Sequence, residues 1–127
     1  MAGIDTLKNF KGRPFHGVLS SANASGGVAV TLYKPGSTST DSVGSDERLL
    51  ITDYHLIAAA GGDCAIYAAN SAAAQYTVAR GTVGSNGGFG GVKTTPTFGK
   101  KAEGAFVVAP AGQVDVIIEG LIIKAGA

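Results

Sequence analysis

Asp53 and His55 are the first residues in this sequence whose types and spacing could do chemistry. In an extended chain, residues two apart leave the same strand face about 7 Å apart along the strand. A carboxylate beside an imidazole is half of a hydrolase relay. The other half is a serine aimed at that imidazole, commonly on a G-x-S-x-G elbow. The sequence contains no such elbow. The pair therefore reads as a solvent-facing or interface polar pair. Cys64 follows Asp63, whose charge disfavours a thiolate, so it reads as a small buried apolar residue rather than a nucleophile.

Metal and phosphate chemistry find little material. His16 and His55 are far apart in sequence and form no H-x-H, and a single cysteine excludes an intrachain disulfide or a multi-cysteine zinc site. Asp41, Asp46 and Glu47 lie in an oxygen-rich stretch that misses the calcium-loop pattern, so a solvated loop is expected. The glycine run from Gly84 to Gly91 lacks a following Lys-Ser/Thr and a following helix, so it reads as a hairpin turn. No cofactor is expected, and the chain reads as no enzyme.

The bulk properties narrow the partners. The chain has 127 residues, 45% hydrophobic and only 15% charged, with a net charge of +1. That balance excludes a polyanion binder acting by bulk charge and a charge-driven disordered tail. No direct nucleic-acid contact is expected. No apolar run reaches the length of a membrane span, and the first 15 residues carry no apolar signal core. The expectation is a protein made and used without crossing a membrane. One domain is expected, burying about two thirds of the surface its unfolded chain exposes.

The elements that position these residues read as strands. β-rich runs fall at residues 27–33, 48–57, 64–69, 76–83, 89–95, 103–109 and 113–123, separated by turn signals, with Pro96 interrupting the fifth. Residues 72–75 suit a short helical turn. Within 48–57, strict alternation places Leu50, Thr52, Tyr54 and Leu56 on one face, and Leu49, Ile51, Asp53, His55 and Ile57 on the other. Seven to eight strands at about ten-residue spacing, without a long helix, predict an all-β fold, an antiparallel β-sandwich or jelly roll.

Residues 1–26 show no lasting period and end in a run of small residues, so they read as an extended N-terminal arm ahead of a β domain at 27–127. A first strand inside the core is the alternative. As an arm, the segment would use Ile4, Leu7, Phe10 and Phe15 as apolar anchors, with Lys8, Lys11 and Arg13 meeting an acidic protein surface. The last strand is apolar on both sides from Val116 to Ile123 except at Glu119. Such a strand is buried on both faces, by its own core or by another subunit. Val116, Ile118, Leu121 and Ile123 are the residues this places at an oligomer interface.

The segment from Glu47 to Lys124 resembles the small head decoration (cement) proteins of tailed bacteriophages. The features carrying the likeness are Arg48-Leu49-Leu50-Ile51-Thr52-Asp53, Ala58-Ala59-Ala60-Gly61-Gly62-Asp63, Ala79-Arg80-Gly81-Thr82-Val83, Asn86-Gly87-Gly88 and residues 112–120, over about 60% of the chain. The resemblance implies a β domain that forms a homotrimer. It implies binding to the major capsid protein at three-fold positions on the outer capsid surface of a virion, after synthesis in the host cytoplasm. It also implies a terminal arm that locks neighbouring capsid subunits. A small β-sandwich binding module, for a receptor, a glycan or a tail structure, is the alternative; its aromatic stock is Tyr33, Tyr54, Tyr67 and Tyr76.

Overall fold

The structure, a computed structural model, describes residues 11–125. Nine strands follow one another: β1 Gly12–Asn23, β2 Val28–Ala29, β3 Thr31–Tyr33, β4 Glu47–Ala58, β5 Gly62–Tyr67, β6 Thr77–Val83, β7 Gly87–Phe98, β8 Phe106–Val108 and β9 Gln113–Lys124. A single 3-10 turn, Ala74–Tyr76, precedes β6. The strands form a five-stranded sheet in the order β3-β1-β9-β4-β7 and a four-stranded sheet in the order β2-β8-β5-β6. All pairings are antiparallel.

With the short β3 set aside, the pairs are nested. First pairs with last (β1 with β9), second with second-last (β2 with β8), β4 with β7, and β5 with β6. That nesting is one long hairpin rolled into two facing sheets, the jelly roll. The expected all-β sandwich is therefore what the chain forms.

The arm expected over residues 1–26 is not an arm over residues 12–23. That stretch is β1, hydrogen-bonded to β9 along one side and to β3 along the other. Phe15 and Leu19 are buried in the core. The period escapes notice because the inward set is Phe15, Gly17, Leu19, with a blank at its centre. A Cβ at Gly17 would collide with the Ile118 side chain, which fills that space from the neighbouring strand. Residues 1–10 lie outside the described residues.

The core lies between the sheets. Phe15, Leu49, Ile51, Leu56, Val116, Ile118 and Ile122 meet Cys64, Ile66, Val78 and Val107. Burying an aliphatic side chain of this size contributes about 1.5–3 kcal/mol. Alanines 24, 58, 68, 105 and 109 complete the cluster, so the sheets approach over small residues.

Two of the register shifts meet at Thr52 and reset the alternation there. In β4, Ile51 stands opposite Gly120 and Asp53 opposite Glu119, so Thr52 is an extra, bulged residue. Its hydroxyl donates to the Glu119 carbonyl at 3.4 Å. Gly120 admits the bulge, since a Cβ there would collide with the Leu50 carbonyl oxygen. The bulge swaps faces: Leu49 and Ile51 before it, and Leu56 and Ala58 after it, all join the core, while Leu50 belongs to a separate cluster with Leu121 and Ile123. The strict alternation expected for residues 48–57 is corrected accordingly. In β7, residues 93–96 bulge opposite the same point, between Val92 and Thr97. Pro96 sits in this excursion of an edge strand, where a missing N–H is tolerated, so β7 continues to Phe98.

Candidate interaction surface

The chemistry-bearing residues are positioned by the solvent side of the five-stranded sheet. Register fixes their rows. Tyr33 pairs with His16, His16 with Glu119, Glu119 with Asp53, and Asp53 with Val92. The next row is Thr31, Val18, Ile117, His55 and Gly90. A third sets Asp115 beside Ile57 and Ile57 beside Gly88. His16 and His55, distant in sequence, thus share one face, and Asp53 and His55 share it as expected.

The exposed large apolar residues concentrate here. Ile57 (45% exposed), Val92 (43%), Phe98 (38%) and Ile117 (40%) are the exposed large hydrophobics among the described residues, and all four are on this face. Phe98 lies opposite Leu50, with the Arg48 guanidinium 4.9 Å from its ring centre. Charge is interleaved with the apolar groups. The His16 Nδ1 lies 4.0 Å from Glu119 Oε1. Asp53, Tyr54, His55, Gly91, Val92, Ile117 and Glu119 line one shallow depression. His16, Val18, Tyr33 and residues 34 and 36–38 line a second.

Several of the residues expected at contacts are taken up within the chain. Val116 and Ile118 are fully buried in the sandwich core, so they are unavailable to another subunit. Leu121 and Ile123 face outward but are already buried with Leu50. The exposed large apolar residue of this strand is Ile117, of the opposite parity to Val116 and Ile118. Ile4, Leu7, Lys8 and Phe10 lie outside the described residues. Lys11 is exposed. Phe15 is in the core, and Arg13 is engaged within the chain.

Arg13 is the hub of an ionic cluster at one end of the sandwich. Its Nε and Nη2 donate to Asp41 at 2.8 and 3.2 Å, its Nη1 and Nη2 to Glu47 at 2.5 and 3.0 Å, and its Nη2 to the Ser42 carbonyl at 2.9 Å. Glu47 Oε1 also accepts the Gly44 N–H. These donors hold the Glu47 carboxyl down to about 2, and Arg13 likewise lowers Asp41. Asp46 is paired with Lys124 at 2.9 Å. The carboxylates that suggested an oxygen-rich loop are each answered by a side-chain cation of this chain.

The remaining candidates take quiet places. Cys64 is buried, and that burial, with Asp63 second, raises its thiol above the usual range. The Gly84–Gly87 stretch is a turn closed by Gly87 N–H to Gly84 C=O, with Asn86 at φ 58°. Tyr67 is buried, and Tyr54 packs edge-on against Phe89 with Lys93 over its ring. Among the described residues, no three His, Cys, Asp or Glu side chains lie close enough to share a metal ion.

Comparison of the chain with family models, curated proteins and solved structures finds no match. The function must be read from this surface.

Proposed function

We propose that this chain is a structural, non-catalytic protein of a tailed-phage head, a decoration protein that binds the major capsid protein on the outside of the shell and associates with its own copies. The observation that carries the reading is the concentration of exposed apolar side chains on one sheet face, interleaved with carboxylates and imidazoles. A single sheet face that carries all the exposed large apolar side chains of the described residues supports contact with another macromolecule. The jelly roll is compatible with this role but does not select it, because the same fold serves lectins and enzymes.

The part of the chain assigned to the capsid is shorter than the sequence suggested. Strand β1 holds residues from Gly12 onward in the sheet, which leaves residues 1–11, with Ile4, Leu7, Lys8, Phe10 and Lys11, as the capsid-gripping segment. A short segment repeated over a shell gains by avidity, so weak individual contacts suffice. The test is co-sedimentation with undecorated heads. Full-length protein is expected to saturate the heads, and a chain lacking residues 1–11 is expected to stay in the supernatant while remaining folded. Full-length protein that stays in the supernatant overturns the reading.

A further inference from the structure

We infer that in the free chain residues 1–10 fold back over the outer face of the five-stranded sheet, as a short helix seated on Leu50, Leu121 and Ile123. These residues belong to the segment assigned to the capsid, but their place here rests on a different observation. The large aliphatic side chains of this one face fall into two groups. Ile117 and Ile57 keep 40% and 45% of their surface in solvent, as a bare sheet face allows. Leu50, Leu121 and Ile123 keep 0%, 8% and 6%. Strand parity puts Leu121 and Ile123 on the same side of β9 as Ile117, and Leu50 stands beside Leu121.

The second group is therefore covered. The four-stranded sheet is not the cover, because it packs on the other side, against Leu49, Ile51 and Ile122. No other buried or half-buried apolar residue among the described ones joins the cluster of three. Phe98 and the Arg48 guanidinium, 4.9 Å from its ring centre, border the cluster on the β7 side. Arg48 Nε is shut away from solvent as well. Gly126 and Ala127 offer one methyl group between them, too little to cover three side chains. That leaves residues 1–10.

The chain enters at the right corner. Gly12 pairs with Ile123, and an added Cβ there would meet the Ile123 side chain at 2.8 Å, so the segment starts at the edge of the patch. From β1 over β9 and β4 to β7 is three strand spacings, about 14 Å. Ten residues of helix span about 15 Å. The segment carries Ile4, Leu7 and Phe10 at steps of three. Such steps keep all three on one side of a helix, with Asp5 and Asn9 on the opposite side, whereas in a strand Leu7 would face away from the other two. Gripping a capsid then requires the segment to leave this patch, so the free protein is the closed form.

The chain contains no tryptophan, so Phe10→Trp introduces a single fluorescent reporter into the full chain. Its emission is expected to lie well to the blue of the same chain in denaturant and to resist quenching by acrylamide. Adding Leu7→Asp in the segment, or Leu121→Lys on the sheet, is expected to shift the emission to the red and open the indole to the quencher. Ile117→Lys, on the open part of the same face, is expected to leave it unchanged. Thermal melts confirm folding, and Leu7→Asp, outside every strand, decides the matter if Leu121→Lys does not fold. An indole as exposed in the native chain as in denaturant overturns the inference. So does one indifferent to Leu7→Asp, or one released equally by Ile117→Lys. An exposed indole, with wild type that still saturates heads, overturns the fold-back and leaves the decoration role standing. An enclosed indole, with wild type that leaves the heads bare, does the reverse.

Discussion

Arg13 on β1 reaches across the intervening β9 to grip Glu47 on β4 through two hydrogen bonds, Nη1 to Oε2 at 2.5 Å and Nη2 to Oε1 at 3.0 Å. Both residues continue the inward-facing series of their strands, after Phe15 and Leu49, so the pair closes one end of the core. Glu47 and Asp41 are 12% and 11% exposed, while Arg13 keeps 43% of its side chain in solvent. The geometry is bidentate, which separates it from a loose surface ion pair.

Arg13→Ala removes every one of these bonds and leaves two largely enclosed carboxylates facing each other. The expected loss is about 1–3 kcal/mol, after allowance for the solvent around Arg13. Urea denaturation at neutral pH measures it. A midpoint identical to wild type would show that the cluster is ornamental.

The same cluster sets an acid limit. Glu47 is held at about 2, below its ordinary 4.5, and Asp41 is lowered too. The folded carboxylates bind protons less readily than the unfolded ones, so stability increases with pH across this window. It is fully present above about pH 4.5 and is lost as pH falls toward 2. Melting temperature against pH is expected to fall through that range in the wild type, and to fall less in Arg13→Ala.

Truncation separates the leading segment from the strand. Removal of residues 1–11 stops short of β1 and is expected to leave a cooperative β-sheet melt. Removal of residues 1–20 takes nine of the twelve residues of β1, including Phe15 and Leu19, and exposes the edge of β9. That chain is expected to be unfolded or aggregated by circular dichroism and size exclusion.

Gly120→Ala tests the bulge. The added methyl would strike the Leu50 carbonyl at the point where Thr52 is extruded. A loss of about 3 kcal/mol is expected, the upper range for overpacking, because backbone rather than a side-chain tip must give. Gly26→Ala, with open space around its position, is the matched control.

Cys64 is expected to be unreactive toward a thiol-specific reagent in the native protein and to react once per chain in denaturant. Its burial and its raised thiol both disfavour the thiolate.

Much of the fold was legible along the chain. β-branched runs at about ten-residue spacing, broken by Gly, Pro and Asn, determined a sandwich of short antiparallel strands, because such residues suit a pleated, half-buried surface. Asp53 and His55 had to share a face, since side-chain period in a strand is two. The tertiary structure decided the rest. Gly17 hides the period of β1, and only the neighbouring Ile118 shows that its blank is filled. Thr52 reverses the parity of β4, and only pairing with β9 reveals an extra residue. In β9, apolar residues of both parities look alike in sequence. Which of them face the core depends on the second sheet, which buries Val116 and Ile118 and leaves Ile117 in solvent. Facing is a property of the layer a strand joins. A period seen along one strand cannot say on which side the other layer lies.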